Sequence, residues 1–251
     1  MKIIISPAKK MVTDTDSMAC CGLPVFLSNS EEIAAVLKEK SWLELKKIWK
    51  CNDQITTLNA QRLQNLDLRS GLTPAILAYD GIQYRFMAPG VFTDAELAYL
   101  QDHVRILSGF YGILKPFDGV TPYRLEMQAK LKIGESENLY DFWKDRLANC
   151  LVSETDCIVN LASKEYSVCI SKYLPEGTRF ITCTFAEEKN GKITEKGTLC
   201  KMARGEMVRY MAENQITDPE QIKTFDRLNY CFDAQRSTTN QFIFLSGATG
   251  G

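Results

Sequence analysis

Tyr123, Arg124 and Glu126 set a hydroxyl, a planar donor-rich guanidinium and a carboxylate close together along the chain. That combination suits the grip of an anionic or planar ligand. Tyr123 and Glu126 are also candidates for acid or base chemistry, as is Glu165 further on. A plainer reading is an Arg124–Glu126 ion pair that staples a loop. The three residues close the segment Leu107 to Met127, where Gly109, Gly112 and Gly119 permit positive φ and Pro116 and Pro122 fix φ. Such a segment is a shaped loop, not one long helix or strand.

Three other segments carry cations in telling positions. Ser6-Pro7-Ala8-Lys9 follows an apolar run, and a serine cap with proline at the first helical position predicts a helix start that welcomes an anion near Ser6 and Lys9. Read instead as a serine–lysine nucleophile pair, the same residues lack the companion motifs of acyl-transfer enzymes. Lys201, Arg204 and Arg209 fall on a predicted helix within an arc of roughly 140°, opposite Ala203, Met207, Tyr210 and Met211. Gly205 lies in that basic arc, where it weakens a helix by about 1 kcal/mol relative to alanine and where a bare backbone admits a phosphate. A solvated helix face also explains the charges. Asn160 to Tyr166 sets a strand end against a helix start, the place where open α/β sheets bind ligands. Lys164 there could meet a phosphate and Tyr166 a base, although capping and packing account for the segment equally well.

The elements that hold these residues follow from pattern. Lys2 to Ile5 reads as a strand and the stretch to Asn29 as loop. A helix opens at Ser30, a helical pattern continues past Ser41 to Trp49, and a further helix runs from Gln54 to Asn65, so residues 43 to 65 form a helical hairpin. Ala75 to Tyr79 reads as a strand, Thr93 to His103 as a helix opened by a capping box, and Asn138 to Leu151 as one helix. Cys157 to Leu161 reads as a buried strand, and Ser163 to Tyr173 as a helix capped by Ser163. Asn190-Gly191 marks a hairpin between Arg179–Phe185 and Lys192–Lys196, and Leu228–Phe232 pairs with Gln241–Leu245. No linker divides the chain, so residues 1–251 are expected to form one compact α/β domain with a mixed sheet surrounded by helices.

The 251 residues are 45% hydrophobic and 24% charged, a balance that excludes a disordered or fibrous chain. The net charge of −1 excludes a binder basic over its whole surface, but not a basic cleft. Between His103 and Ile133, Arg105, Lys115, Arg124, Lys130 and Lys132 face only Asp118 and Glu126, a local net of +3. Nine cysteines occur without any C-x-x-C, and His103 is the single histidine, so neither a metal site nor a disulfide framework is expected. Free thiols suit a reducing compartment, and the adjacent Cys20 and Cys21 offer a redox-sensor alternative. No apolar run reaches the roughly 20 residues of a membrane span, and Met1 to Pro7 is too short for a signal peptide. A cytoplasmic protein with no membrane partner and no cofactor is expected.

Taken together, Ile5-Ser6-Pro7-Ala8-Lys9, Asn52 to Arg62, the block Leu107 to Met127, Asn160 to Tyr166 and Lys201 to Arg209 make the chain resemble the YaaA family of bacterial peroxide stress proteins. The resemblance implies a single-domain α/β fold with few relatives, a positively charged cleft and binding of duplex or distorted DNA. It also implies a role in limiting free iron during peroxide stress. A helix-hairpin-helix element would fall at Leu45 to Leu58, where Lys50-Cys51-Asn52 replaces the usual glycine-containing turn, so that the Lys50 side chain hinders close backbone approach while its charge offers a substitute. The end, Leu245 to Gly251, lacks the basic finish usual in the family. The expected phosphate contacts are therefore Ser6, Lys9, Lys50, Arg124, Lys164, Lys201, Arg204 and Arg209. The alternative is an enzyme acting on a nucleotide or nucleobase in the same cleft, with Tyr123, Glu126 or Glu165 as acid or base.

Overall fold

The computed structural model describes residues 1–189 and 192–247. Its strands are β1 (Lys2–Ile5), β2 (Lys10–Met11), β3 (Thr73–Pro74), β4 (Tyr79–Asp80), β5 (Val104–Ser108), β6 (Gly112–Leu114), β7 (Gly119–Val120), β8 (Cys157–Leu161), β9 (Arg179–Lys189), β10 (Lys192–Thr194), β11 (Tyr230–Phe232) and β12 (Gln241–Ser246). The helices are α1 (Leu27–Lys38), α2 (Trp42–Trp49), α3 (Asp53–Gln64), α4 (Ala75–Ala78), α5 (Ile82–Met87), α6 (Asp94–His103), α7 (Leu139–Trp143), α8 (Arg146–Val152), α9 (Lys164–Ser171) and α10 (Gly197–Glu213).

One mixed sheet organises the chain, in the order β11-β12-β9-β8-β1-β5-β6 with β10 hairpinned onto β9. Five of its strands, β5, β1, β8, β9 and β12, run parallel, and β6 and β11 close the two edges antiparallel. Ile3, Ile4 and Ile5 are all fully buried, as a parallel strand covered on both faces requires. Numbered along the chain, the parallel strands lie in the order 2-1-3-4-5, one of the common doubly wound arrangements. The order reverses between β1 and β8. In such sheets a crevice opens beyond the carboxyl ends of the strands at that reversal.

Local chemistry sets the elements around this point. Ser41 and Glu44 form a capping box at the start of α2, and Thr93 and Glu96 form another at α6, which packs on β1 and β5. In α10 the buried Ala203, Met207 and Met211 form the apolar face that was expected, and the helix packs on α5, α6 and β9. A single α/β domain with a mixed sheet and surrounding helices matches the expectation from patterning. The Asn190-Gly191 turn lies outside the described residues, although β9 and β10 pair antiparallel on either side of it. Ala248 to Gly251 lie outside them too.

Several local expectations are corrected. Ser6 to Lys9 form no helix: the chain stays irregular after β1 and enters β2, which pairs with β4. Ala75 to Ala78 is one helical turn behind Pro74, where good helix formers outweigh the apolar run. The helix expected from Asn138 to Leu151 breaks in two because Lys144 takes φ 44° between α7 and α8. Ser30 does not open α1; it is buried inside that helix and donates to the Phe110 carbonyl at 3.0 Å.

Candidate functional site

A cleft of about 370 Å³ opens where β1 and β8 end. Ser6, just past β1, accepts a hydrogen bond from the Ser163 backbone N–H at 2.8 Å and donates to the Ser163 hydroxyl at 3.2 Å. These bonds tie the two strand ends together. They also explain why the Ser163 side chain, at the N-cap of α9, makes no capping bond there. Tyr84 on α5 donates to the Ser6 carbonyl at 2.9 Å and closes the inner wall.

One wall is a closed ionic triangle. Glu126 meets the Lys9 ammonium at 2.8 Å and the Arg124 guanidinium at 2.9 Å, and Arg124 also donates to the Lys9 carbonyl at 3.1 Å. The stapling role considered for Arg124 and Glu126 is therefore realised. Because Lys9 is engaged by Glu126, and the Ser6 hydroxyl bonds only Ser163, no base among the described residues activates Ser6 as a nucleophile. Lys10 lines the cleft as well and pairs with Asp80 at 2.5 Å.

The opposite wall is α10, where Lys201 and Arg204 face the same cleft one turn apart. Neither has a carboxylate partner among the described residues. The Nε atoms of Arg204 and Arg124 and the side-chain nitrogen of Gln83 are buried and make no hydrogen bond within the protein. All three residues line the cleft. Buried donors without acceptors are costly, and they concentrate where a ligand completes the bonding.

Tyr123 and Glu165 also line the cleft. The Tyr123 hydroxyl bonds Ser108 at 2.7 Å and Tyr79 at 3.0 Å, and burial holds its pKa well above the ordinary phenol value. It is a fixed neutral hydroxyl, not a base. Glu165 sits in the first turn of α9 and accepts from the Gln128 N–H at 3.3 Å. Burial raises its pKa, with the nearby Glu126 charge adding to the rise and the Gln128 N–H opposing it.

Of the residues singled out by sequence, Ser6, Lys9, Tyr123, Arg124, Glu126, Glu165, Lys201 and Arg204 converge on this one cleft. Lys164 does not enter it and lines a neighbouring open groove that shares Arg204. Lys50 is exposed at the end of α2, with φ 46°, and Arg209 is bonded to Glu213 at 2.7 Å. Neither reaches the cleft. In the Lys50-Cys51-Asn52 turn the left-handed residue is Lys50, whereas Asn52 is extended and caps α3 by accepting from the Ile55 N–H at 2.9 Å. Gly205 is also reassigned. A Cβ there would lie 2.1 Å from the Gln83 carbonyl, so its bare backbone lets α10 touch α5 and leaves no room for a phosphate. His103 stands apart, with Nδ1 2.9 Å from the Met1 carbonyl and its pKa lowered by burial.

Gln83, Tyr84, Asp80 and Lys10 were missed by sequence reasoning. The Asp80-Gly81 turn was the available signal, because it brings the start of α5 to the strand ends. The assembled site offers fixed donors and a carboxylate, a set suited to gripping and orienting a ligand, and among the described residues no nucleophile is paired with a base. Among the described residues no three His, Cys, Asp or Glu side chains gather as a metal would require, and no helix is long and apolar enough to cross a membrane.

Comparison with known proteins agrees with the pattern of residues. The family model described as "Peroxide stress protein YaaA" matches residues 1–236. A "UPF0246 protein" of Agathobacter rectalis is 54% identical over 97% of this chain and 98% of its own length. Proteins of the same description from Lachnoclostridium phytofermentans, 53% identical over 98% of the chain and 97% of their length, and Pediococcus pentosaceus, 50% identical over 98% of both, are similar throughout. With the strand-end cleft formed by the motif residues and the match running from the first strand to beyond β11, the chain belongs to the YaaA family of peroxide stress proteins.

Proposed function

We propose that this peroxide stress protein binds DNA without reading its sequence, through phosphate contacts made by Lys201 and Arg204 on α10 and by Lys164 at the start of α9. One observation carries the reading. These three cations have no carboxylate partner among the described residues, and Arg204 borders both the cleft and the groove that holds Lys164. An unpaired guanidinium or ammonium at a surface groove gains most from a polyanion, because no internal bond must be broken first. Ser6, Lys9 and Arg124 shape the cleft wall, and the two cations there already share the Glu126 carboxylate. Lys50 and Arg209 lie outside the contact line; Lys50 adds exposed charge from the α2–α3 hairpin. That hairpin contributes through charge alone, since Asn52 caps α3 and the Asp53 carboxylate stands in its first turn, where a phosphate would otherwise dock.

In this reading the protein acts in the cytoplasm and helps limit free iron as well as binding DNA. Less free iron during peroxide stress means less hydroxyl radical near the bound DNA. The test is equilibrium binding to two duplexes of equal length and unrelated sequence, each titrated at low and moderate salt. Near-equal affinities that fall steeply with salt are expected, since each phosphate contact contributes about −0.9 to the slope of log K against log salt. Affinity that depends on sequence but not on salt contradicts the reading.

A further inference from the structure

We propose that the cleft between the ends of β1 and β8 is a site for one nucleotide unit, a nitrogenous ring joined to a phosphate, whether free or unpaired within a strand. The proposal extends beyond phosphate contacts with a duplex and does not depend on them.

Size comes first. At about 370 Å³ the cleft lies low in the range of about 300 to 1,000 Å³ usual for small-molecule sites, too small for a double helix and adequate for one nucleotide. Its position at the reversal of strand order is where doubly wound sheets take such ligands. The walls are also divided by charge. Lys201 and Arg204 on α10 have no carboxylate partner among the described residues, whereas Lys9, Lys10 and Arg124 across the cleft are each already paired with Glu126 or Asp80. A phosphate therefore settles against α10. On the other side the Glu165 carboxylate meets only backbone N–H groups, of Gln128 at 3.3 Å and of Met127, so it has lone pairs left for the amino or ring N–H groups of a base.

The donors left without partners agree with this division. Gln83 is 6% exposed, and its side-chain nitrogen is unbonded within the protein, like the Nε atoms of Arg204 and Arg124. A base edge or phosphate oxygen that bonds one of these three donors meets a group that is already desolvated, whereas the exposed Lys201 is desolvated only on binding. Pro7, Ala8 and Ile82 give the cleft apolar surface for a ring. The site is also held in advance: the bonds of Ser6 to Ser163 and Tyr84 and the triangle of Lys9, Glu126 and Arg124 fix its walls.

The experiment is calorimetric titration of the full chain with AMP, GMP, adenosine and inorganic phosphate. Saturable binding of a mononucleotide at least tenfold tighter than of phosphate or nucleoside is expected. Arg204→Ala should weaken it tenfold or more, and the exposed Lys201→Ala, which carries no packing role, should weaken it severalfold. Glu165→Gln should reduce nucleotide binding while leaving phosphate binding unchanged. Lys132→Ala, on a remote exposed ion pair with Glu137, serves as the unaffected control. Competition with a duplex carrying one bulged nucleotide separates the sources. If the bulged duplex binds more tightly than its paired counterpart and is displaced by the mononucleotide, the unit is taken from a strand; if the nucleotide binds but does not displace it, the free nucleotide is the ligand. A folded protein that binds paired duplex yet gives no saturable nucleotide binding loses this proposal and keeps the DNA reading, and nucleotide binding indifferent to Arg204→Ala and Lys201→Ala overturns it equally.

Discussion

Glu126 holds Lys9 and Arg124 together, so the charge of the cleft wall rests on this one carboxylate. Glu126→Gln should leave two cations without a counter-charge, tighten binding of any polyanion at low salt and lower stability by about 1 to 3 kcal/mol; unchanged DNA affinity together with an unchanged denaturant midpoint would contradict the triangle. A second carboxylate reports on burial. Asp118 is 7% exposed, accepts the Lys115 N–H at 2.8 Å, and is pushed by burial to about 6 from an ordinary 3.8. The folded protein thus holds this proton more tightly than the unfolded chain. Its contribution is present below the ordinary value and lost as pH rises through about 6. Asp118→Asn should therefore gain stability relative to the parent between about pH 4 and pH 7, on the order of 2 kcal/mol, and denaturant midpoints that run parallel across that range would exclude it. The residues most legible in the sequence were those whose type is informative alone: Ser6, Lys9, Arg124, Glu126 and Arg204. Gln83 and Tyr84 were not legible, because a glutamine and a tyrosine in a short helix carry no chemical signature until the fold brings them to a strand end.

At the scale of elements, Gly205 separates two accounts of α10. If its bare backbone served a phosphate, Gly205→Ala would raise helix stability by about 1 kcal/mol. Because a Cβ there meets the Gln83 carbonyl at 2.1 Å, the substitution should instead cost about 1 to 3 kcal/mol, read as a lower melting temperature, and should disturb the cleft through α5. The elements read best from sequence were those with both a boundary signal and a period, such as α6 behind its capping box and β8 with its buried run. The elements read worst were those decided by tertiary contact. Ser6 to Lys9 has the local composition of a helix start, yet β2 must pair with β4 and draws the chain out as an extended link. Ser30 has the composition of a cap, yet it bonds Phe110 from within α1.

At the scale of the whole molecule, segments far apart in sequence are collected at one end of a parallel sheet, with Ser6 from just past β1, Arg124 from the central loop, Ser163 from the turn between β8 and α9 and Arg204 from α10 on one cleft. Sequence could propose the convergence and the Arg124–Glu126 pair but not the rest of the compensation, since pairing of Lys9 with Glu126 and of Arg209 with Glu213 depends on side chains meeting in space. In the proposed reading, polyanion binding depends on Lys201, Arg204 and Lys164, which have no carboxylate partner among the described residues. The most direct test is the salt dependence of duplex binding for the parent chain beside a Lys201→Ala, Arg204→Ala double variant. The account predicts that the magnitude of the slope of log K against log salt falls by about 2, one for each phosphate contact removed, with similar losses for every duplex sequence. A variant that stays folded and keeps the parent slope would contradict it.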